Sequence, residues 1–399
     1  MDTDQNTNPV SIYIHIPFCQ TKCPYCDFNS YETSGTEVQL REKGYVHALL
    51  KELSVASEKY QIAGREVRSI FFGGGTPSLL SGEAVFSLIE GVKERARVTS
   101  ETEVTLEANP RSIQETFPEE KLASFYQAGI NRISFGAQSF IQEKLDFLGR
   151  WHTPEDTFRS IEMARKKGFS NFNLDLMFGV KGEVLSTWES ELFQAISLSP
   201  AHISTYMLTM EPGTVFGKRT KKGEVFITED DTFVSLYEAS QRILGDAGYD
   251  QYEISNFSKP GMTCFHNIVY WRNGEYIGLG AGAHSYMKQE GEYGVRWSNT
   301  PSPSLYVSRI LSEGHATQIH DPLTREALLL EKISLGLRML EGISVTDQNI
   351  EMIVPHKKIA FFLASGFLEI VDGYLRIPKV KLHLADSIVG EVCEIVDEG

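Results

Sequence analysis

Across 399 residues the chain carries 38 Lys and Arg against 53 Asp and Glu, a formal net charge of −15, with 41% hydrophobic and 23% charged residues. That length and composition fit a soluble globular protein with one large α/β domain and a smaller second one. The acidity excludes a nucleic-acid-binding surface, and the lack of any apolar run of about 18 residues excludes a membrane span.

The first ten residues are polar and hold no apolar signal core, so a disordered start and a cytoplasmic protein are expected. Ile12, Ile14 and Ile16 then alternate with Tyr13 and His15, the period of a strand. Pro17 ends it, and Cys19, Cys23 and Cys26 follow in C-x3-C-x2-C spacing. Five cysteines, an odd number with three clustered, do not read as a disulfide framework. Three soft thiolates on a short loop suit an iron–sulfur cluster. A cube of four irons held by three thiolates leaves one iron open to an external chelating ligand. A structural zinc site closed by His15 is the competing reading, and a chance grouping of thiols is the third.

An amphipathic helix is predicted over 37–60, with Val46, Leu49, Leu50 and Leu53 on one side. A strand at 69–72 runs into Gly73-Gly74-Gly75-Thr76, where glycine lets the backbone approach a ligand closely. Helices at about 82–97, 119–128, 154–167 and 186–198 alternate with strands at 103–108, 132–136, 172–177 and 202–207. Six strands alternating with helices make a parallel sheet. A curved, partial (β/α)6 barrel is the first expectation and a flat doubly wound sheet the second.

Sheets covered on both faces are apolar throughout. These strands instead place polar groups at alternate positions: Tyr13 and His15; Thr105 and Glu107; Ser134, with Gln138 just beyond; Asn173 and Asp175; Ser204 and Tyr206. A repeated polar face predicts a wet lumen, with its site at the C-terminal strand ends. Glu107 needs a partner there: a cationic ligand, a ribose diol, or Arg132. Gln138, Arg150 and Asp175 complete the polar set, and Tyr25, between two cysteines, can cover the cluster.

Residues 208–300 are less regular, with a helix at 230–246 and a loop or linker at 287–304. His266, Asn267, Tyr270 and Trp271 join an imidazole to two large rings, which suits haem or a satisfied core histidine. Gly278, Gly280 and Gly282 precede no helical pattern, so they are not a dinucleotide fingerprint. A second domain is expected over 305–399. It has helices at 305–313, 324–339, 346–352, 355–365 and 380–396, and a hairpin turning at Asp372-Gly373. Helices followed by a hairpin give it a winged-helix character.

Tyr-Ile-His-Ile-Pro-Phe-Cys, the cysteine spacing, Gly-Gly-Gly-Thr-Pro-Ser and Arg-Ile-Ser-Phe-Gly-Ala-Gln-Ser-Phe together resemble the oxygen-independent coproporphyrinogen III oxidase family of radical S-adenosylmethionine (SAM) proteins. The match runs over nearly the whole chain, and within the family it is most similar to the haem-chaperone branch. The oxidase has a further cysteine where this chain has Phe28, and a longer extension before the first cysteine. The resemblance implies a [4Fe–4S] cluster on Cys19, Cys23 and Cys26, with SAM on its fourth iron. It implies SAM contacts at Tyr13, Tyr25, Gly74, Gly75, Thr76, Glu107, Gln138, Arg150 and Asp175, and haem at His266, Asn267, Tyr270 and Trp271. The function it implies is binding of haem and transfer to acceptor proteins such as respiratory-chain cytochromes, with room for a transient membrane contact. Radical decarboxylation of a porphyrinogen is the alternative.

Overall fold

The computed structural model describes residues 8–114, 118–288, 293–347 and 350–397. Six parallel strands form its centre: β1 Val10–Ile16, β2 Val67–Gly74, β3 Glu103–Ala108, β4 Arg132–Gln138, β5 Phe172–Phe178 and β6 His202–Met207. They lie side by side in chain order. The crossovers are α1 Gly35–Lys59, α2 Gly82–Lys93, α3 Pro118–Ala128, α4 Pro154–Lys166 and α5 Leu185–Ser197. Capping follows sequence: Ser34 with Glu37, and Thr153 with Asp156, form capping boxes that open α1 and α4.

Each strand has two unlike faces. Ile12, Ile14, Ile70, Phe72, Leu106, Ile133, Phe135, Leu174 and Ile203 are all fully buried on one face, where apolar area leaves water against the helices. On the other face, register aligns Tyr13 with Phe71, Thr105 and Arg132, and Glu107 with Ser134 and Asn173. That second face is the polar lumen.

The sheet extends on both sides. Beyond β6, after α6 Asp230–Asp246, come β7 Asp250–Gln251 and β8 Asn256–Ser258. Beyond β1 come β9 Tyr276–Leu279, β10 His284–Met287, β11 Val295–Asn299 and β12 Thr317–Pro322. The twelve strands end at β12 on one side and β7 on the other, and the six parallel strands keep chain order without the reversal of a doubly wound sheet, the order of an open, partial barrel.

Several expectations change. Residues 1–7 lie outside the described residues, but Val10 is buried and pairs with Val67, and Arg65 Nε binds the Asn8 carbonyl at 2.8 Å. Residues 295–299 are a strand, not linker: Val295 and Trp297 are buried while Arg296 stacks on Tyr286 and pairs with Glu331. Helix α8, Pro303–Glu313, packs on α1 through buried Tyr306, and β12 pairs with β11. The chain thus stays with the main sheet to Pro322, past the expected boundary at 305. Helix 324–339 stops at Gly336, whose place is taken by turns leading to Ile343–Ser344. The expected helix at 346–352 is a series of turns, with 348–349 outside the described residues. The final helix is split into a 3-10 turn, Lys379–Leu384, and Ala385–Asp397.

A three-stranded sheet, ordered Ile343–Ser344, Tyr374–Arg376, Glu369–Val371, completes the C-terminal region. Asp372 and Gly373 both have positive φ, 51° and 82°, as a two-residue hairpin turn demands. No helix among the described residues is long and apolar enough to cross a membrane.

Candidate functional site

The cysteine loop leaves β1 at its C-terminal end and is closed at its base, where Phe18–Cys19 pairs with Tyr31–Glu32. Cys19 and Cys23 are buried and Cys26 is half-buried. Burial pushes the thiols of Cys19 and Cys26 up, with Thr76 opposing at Cys19 and the backbone of Phe28 at Cys26, and the neighbouring thiols add to the rise. Sulfurs held this way become thiolate ligands when a metal supplies positive charge.

The glycine turn packs directly on this loop. Gly75 N donates to Ile16 O (2.8 Å), Thr76 N to Phe18 O (2.8 Å), and Thr76 Oγ1 to Cys19 Sγ (3.5 Å). A Cβ on Gly75 would lie 2.6 Å from Phe18 O, and one on Gly74, at φ 108°, 2.4 Å from the His15 ring. Glycine is therefore required at both positions, by the approach of backbone at Gly75 and by the His15 ring and a positive φ at Gly74.

His15 is fully engaged: Nδ1 meets Tyr13 Oη at 3.0 Å and Nε2 meets Asn29 O at 2.8 Å. It has no nitrogen left for zinc. Among the described residues no three His, Cys, Asp or Glu side chains converge as a single ion requires.

The polar strand ends meet the loop from the other side. Arg150 Nη1 donates to Cys23 Sγ (3.5 Å) and Nη2 to Gly136 O (2.9 Å). Burial alone would lower its pKa, but Tyr25 and Cys23 raise it, so it stays a cation. Tyr25 packs on the apolar cluster of Leu148, Met177, Val180 and Leu208, and burial pushes its hydroxyl up. Glu107 accepts from Gly74 N at 3.1 Å. Burial and the nearby Asp175 push its carboxyl up to about 8, and among the described residues it makes no ion pair with Arg132. Asp175, also raised by burial, is held by Ser134 Oγ (3.0 Å) and Asn173 Nδ2 (2.8 Å).

Gln138 sits where the β4–β5 register slips, with φ 62°, and its Oε1 is buried without a hydrogen-bond partner among the described residues. A bulge that re-aims a side chain into a lumen, leaving a buried acceptor unsatisfied, marks a ligand position. The three thiols, the glycine cradle, this orphan acceptor and the raised Glu107 carboxyl suit a cluster bearing a cationic, amide-recognised ligand.

The His266 motif lies elsewhere. It forms a helix missed in the sequence, α7 Phe265–Trp271, whose first N–H groups donate to Glu103 (3.0 and 3.2 Å) at the N-terminal end of β3. His266 is buried against Phe71 and Tyr13. Its Nδ1 meets Ser69 Oγ at 2.8 Å and Nε2 meets Tyr270 Oη at 2.9 Å. Burial, reinforced by Arg132, drives its pKa down to about 3. Asn267, Tyr270 and Trp271 are half-buried. The motif thus touches Tyr13 but is separate from the cysteine loop.

Two supports of the site were not legible. Lys144 is buried between Glu183 and Glu191, and those carboxylates hold Phe140 N (2.8 Å) and Gly179 N (2.6 Å), just past β4 and β5. Segment 208–228 braces the cysteine loop through Phe216 N to Pro24 O, 2.9 Å. A lysine in an acidic chain and a phenylalanine in a helix of only six residues, Val215–Thr220, carry no distinguishing local pattern.

Residues 13–193 match the model of the radical SAM superfamily, a span that encloses the cysteine loop, the glycine turn and the polar strand ends. The heme chaperone HemW of Escherichia coli K12 is 45% identical over 276 residues, 69% of this chain and 70% of its own. HemW of Bacillus subtilis 168 is 38% identical over 335 residues, 84% of each chain. The mitochondrial radical S-adenosyl methionine domain-containing protein 1 of Danio rerio is 33% identical over 95% of this chain and 86% of its own. Among solved structures, coproporphyrinogen III oxidase (HemN) from Escherichia coli superposes with a TM-score of 0.78 at 21% identity, covering 98% of this chain and 90% of that one, which establishes the shared fold. With identity sustained over most of both lengths, the chain belongs to the HemW family of radical SAM proteins.

Proposed function

We propose that this protein binds haem and passes it to an acceptor protein, using a [4Fe–4S] cluster on Cys19, Cys23 and Cys26 and SAM seated in the lumen above it. The observation that carries the cofactor half is the convergence, on one mouth of the barrel, of three thiols with a buried acceptor that has no partner among the described residues, Gln138 Oε1. When bound, the cluster held by Cys19, Cys23 and Cys26 would supply an open iron to which SAM could attach. The chain's own side chains do the rest. Arg150 places a cation beside Cys23. Gln138 offers an amide oxygen, and Glu107 a carboxyl that ionises readily against a sulfonium. Tyr13 and Tyr25 wall the site, while Gly74, Gly75 and Thr76 let the SAM backbone approach. Asp175 is fixed in orientation by Ser134 and Asn173.

The haem half rests on the names of the relatives and on α7. His266 can reach an iron only by giving up Ser69 or Tyr270, so the motif binds haem through a rearranged helix or through Asn267, Tyr270 and Trp271 as walls. Respiratory cytochromes are the proposed acceptors. The test is anaerobic reconstitution followed by separate titrations with haem and SAM. A saturable Soret band, a SAM-dependent change in the cluster's electron paramagnetic resonance (EPR) spectrum and no porphyrin formed from coproporphyrinogen are expected. A protein with no saturable haem binding would overturn the chaperone reading.

A further inference from the structure

The glycine-rich turn at 280–282 answers to neither SAM nor haem, yet it carries more buried hydrogen bonds than a surface turn needs. Its outer side meets the end of the cysteine loop. Asn29, three residues past Cys26, donates from Nδ2 to both Ala281 O and Pro301 O at 2.9 Å, while its own carbonyl accepts from His15 Nε2 at 2.8 Å. Tyr31 Oη adds a third bond, to Pro301 O at 3.1 Å. Backbone and loop meet without room to spare. A Cβ on Gly282, at φ 73°, would lie 2.5 Å from Asn29 Nδ2, and one on Gly280, at φ 107°, 2.6 Å from His15 O.

The inner side of the turn is fixed by α1. Tyr45 Oη receives the Ala281 N–H (2.9 Å) and donates to His15 O (3.0 Å). Glu52, seven residues on and so on the same helix face, accepts from Gly280 N (2.9 Å), Asn299 Nδ2 (2.6 Å) and Tyr306 Oη (2.6 Å). One continuous path of hydrogen bonds therefore runs from α8 through Glu52 and the turn to the loop that bears the cysteines. Buried polar networks with every member satisfied are rigid, and this one ends at Asn29, three residues past the last cysteine of the loop.

We propose that Asn29 is a positioning residue for the cluster: gripped by the 280–282 turn, which Glu52 and Tyr45 hold in place, it fixes the C-terminal end of the cysteine loop and so sets how firmly the cluster is retained and how its open iron faces SAM. This rests on the reading of Cys19, Cys23 and Cys26 as cluster ligands. It gives the extension β9–β12, parallel to β1 at β9 and antiparallel beyond it, and α8 a role in holding the cysteine loop.

The test uses the full chain reconstituted anaerobically, comparing wild type with Asn29→Asp, Asn29→Ala and Tyr306→Phe. Asn29→Asp keeps the size and removes both donors, so packing is preserved while two carbonyls face a carboxylate. The readouts are iron and sulfide per chain, the rate of cluster loss to an iron chelator, and the EPR shift on adding SAM, with circular dichroism of the apo-protein as the fold control. Wild type that takes up no cluster defeats the cofactor reading itself. With wild type loaded, cluster release at least fivefold faster and a diminished SAM-induced shift are expected in both Asn29 variants, and a smaller change of the same sign in Tyr306→Phe. If Asn29→Ala does not fold, Asn29→Asp decides alone. An Asn29→Asp protein that holds its cluster and answers SAM like wild type would overturn the proposal.

Discussion

Gly74 N lies 3.1 Å from Glu107 Oε2, tying the end of β2 to the end of β3 across the mouth of the lumen. That single donor does not offset burial, and Glu107 retains its proton to about pH 8. A bound sulfonium reverses the balance, since a nearby cation favours the carboxylate. SAM binding then releases one proton. Its affinity is expected to rise by about tenfold per pH unit towards pH 8 and level off above it. Glu107→Gln should bind more weakly and show a flat profile, measured by calorimetry in buffers of different ionisation enthalpy. Equal pH slopes in the two proteins would separate Glu107 from SAM.

The glycine turn beside it leads to a stability prediction. Gly74→Ala must place a methyl against an imidazole held at both nitrogens, with φ in the left-handed region. A loss of about 3 kcal/mol is expected in urea unfolding, and cluster uptake should fall with it. Gly64→Ala, also at positive φ but with open space around it, should cost only about 1 kcal/mol and leave uptake intact.

His266 separates support from ligation. Its removal orphans Ser69 Oγ and Tyr270 Oη in a buried place, so His266→Ala should lose about 2–4 kcal/mol of stability. Haem titration of the folded variant decides the rest. A lost or shifted Soret band would make the imidazole a ligand after helix rearrangement. An unchanged band would leave it a core histidine.

The pH dependence of stability also has a definite sign. Glu52 ionises in the native state only near pH 7, because burial outweighs its three donors. Unfolded, it ionises near 4.5. Between these values the native state binds more protons than the unfolded chain. Glu52 therefore contributes fully below about pH 4.5, and its contribution is lost as pH rises through 7, by up to about 3 kcal/mol. Buried His266 and His152, both held near 3, act oppositely below their ordinary 6.5. The clean measurement is the difference between wild type and Glu52→Gln, which should narrow in favour of the variant as pH rises from 5 to 8.

The parallel strands, the lumen face and the cysteine loop were legible because each is local. Alternation along Ile12–Ile16, C-x3-C-x2-C spacing and strand-end glycines are written in consecutive residues. What was not legible depends on partners far along the chain. Residues 295–299 do alternate, as Val295, Arg296, Trp297, Ser298, but only over five positions beside two prolines, and the strand is secured by Tyr286 and Glu331. Helix α7 is too short for a periodic signal and is capped from Glu103, more than 160 residues earlier in the chain. Asn29 and Glu52 gave no sign that they share one turn, since sequence states a residue's chemistry and not what folding brings to it.

Lys144 supplies a prediction of the same long-range kind. It is buried with Glu183 and Glu191, stacks on Trp188, and makes the only positive charge in that pocket among the described residues. Glu191 holds Ser139 Oγ and Phe140 N, immediately after Gln138, and Glu183 holds Gly179 N and Val180 N, immediately after β5. The triad thus anchors two strand ends of the site. Lys144→Met would strand two carboxylates in the interior, at a cost of about 3–5 kcal/mol, and free the segment that keeps Gln138 in its left-handed conformation. SAM affinity should weaken at least tenfold in the protein that remains folded. Neutralising all three, Lys144→Met with Glu183→Gln and Glu191→Gln, removes the unpaired charges and should restore most of the stability. Each glutamine keeps one acceptor oxygen for the strand-end donors but without the carboxylate's charge, so SAM affinity should recover less than stability does. If the triple variant recovered both together, the triad would be a stability element alone, with no part in placing Gln138.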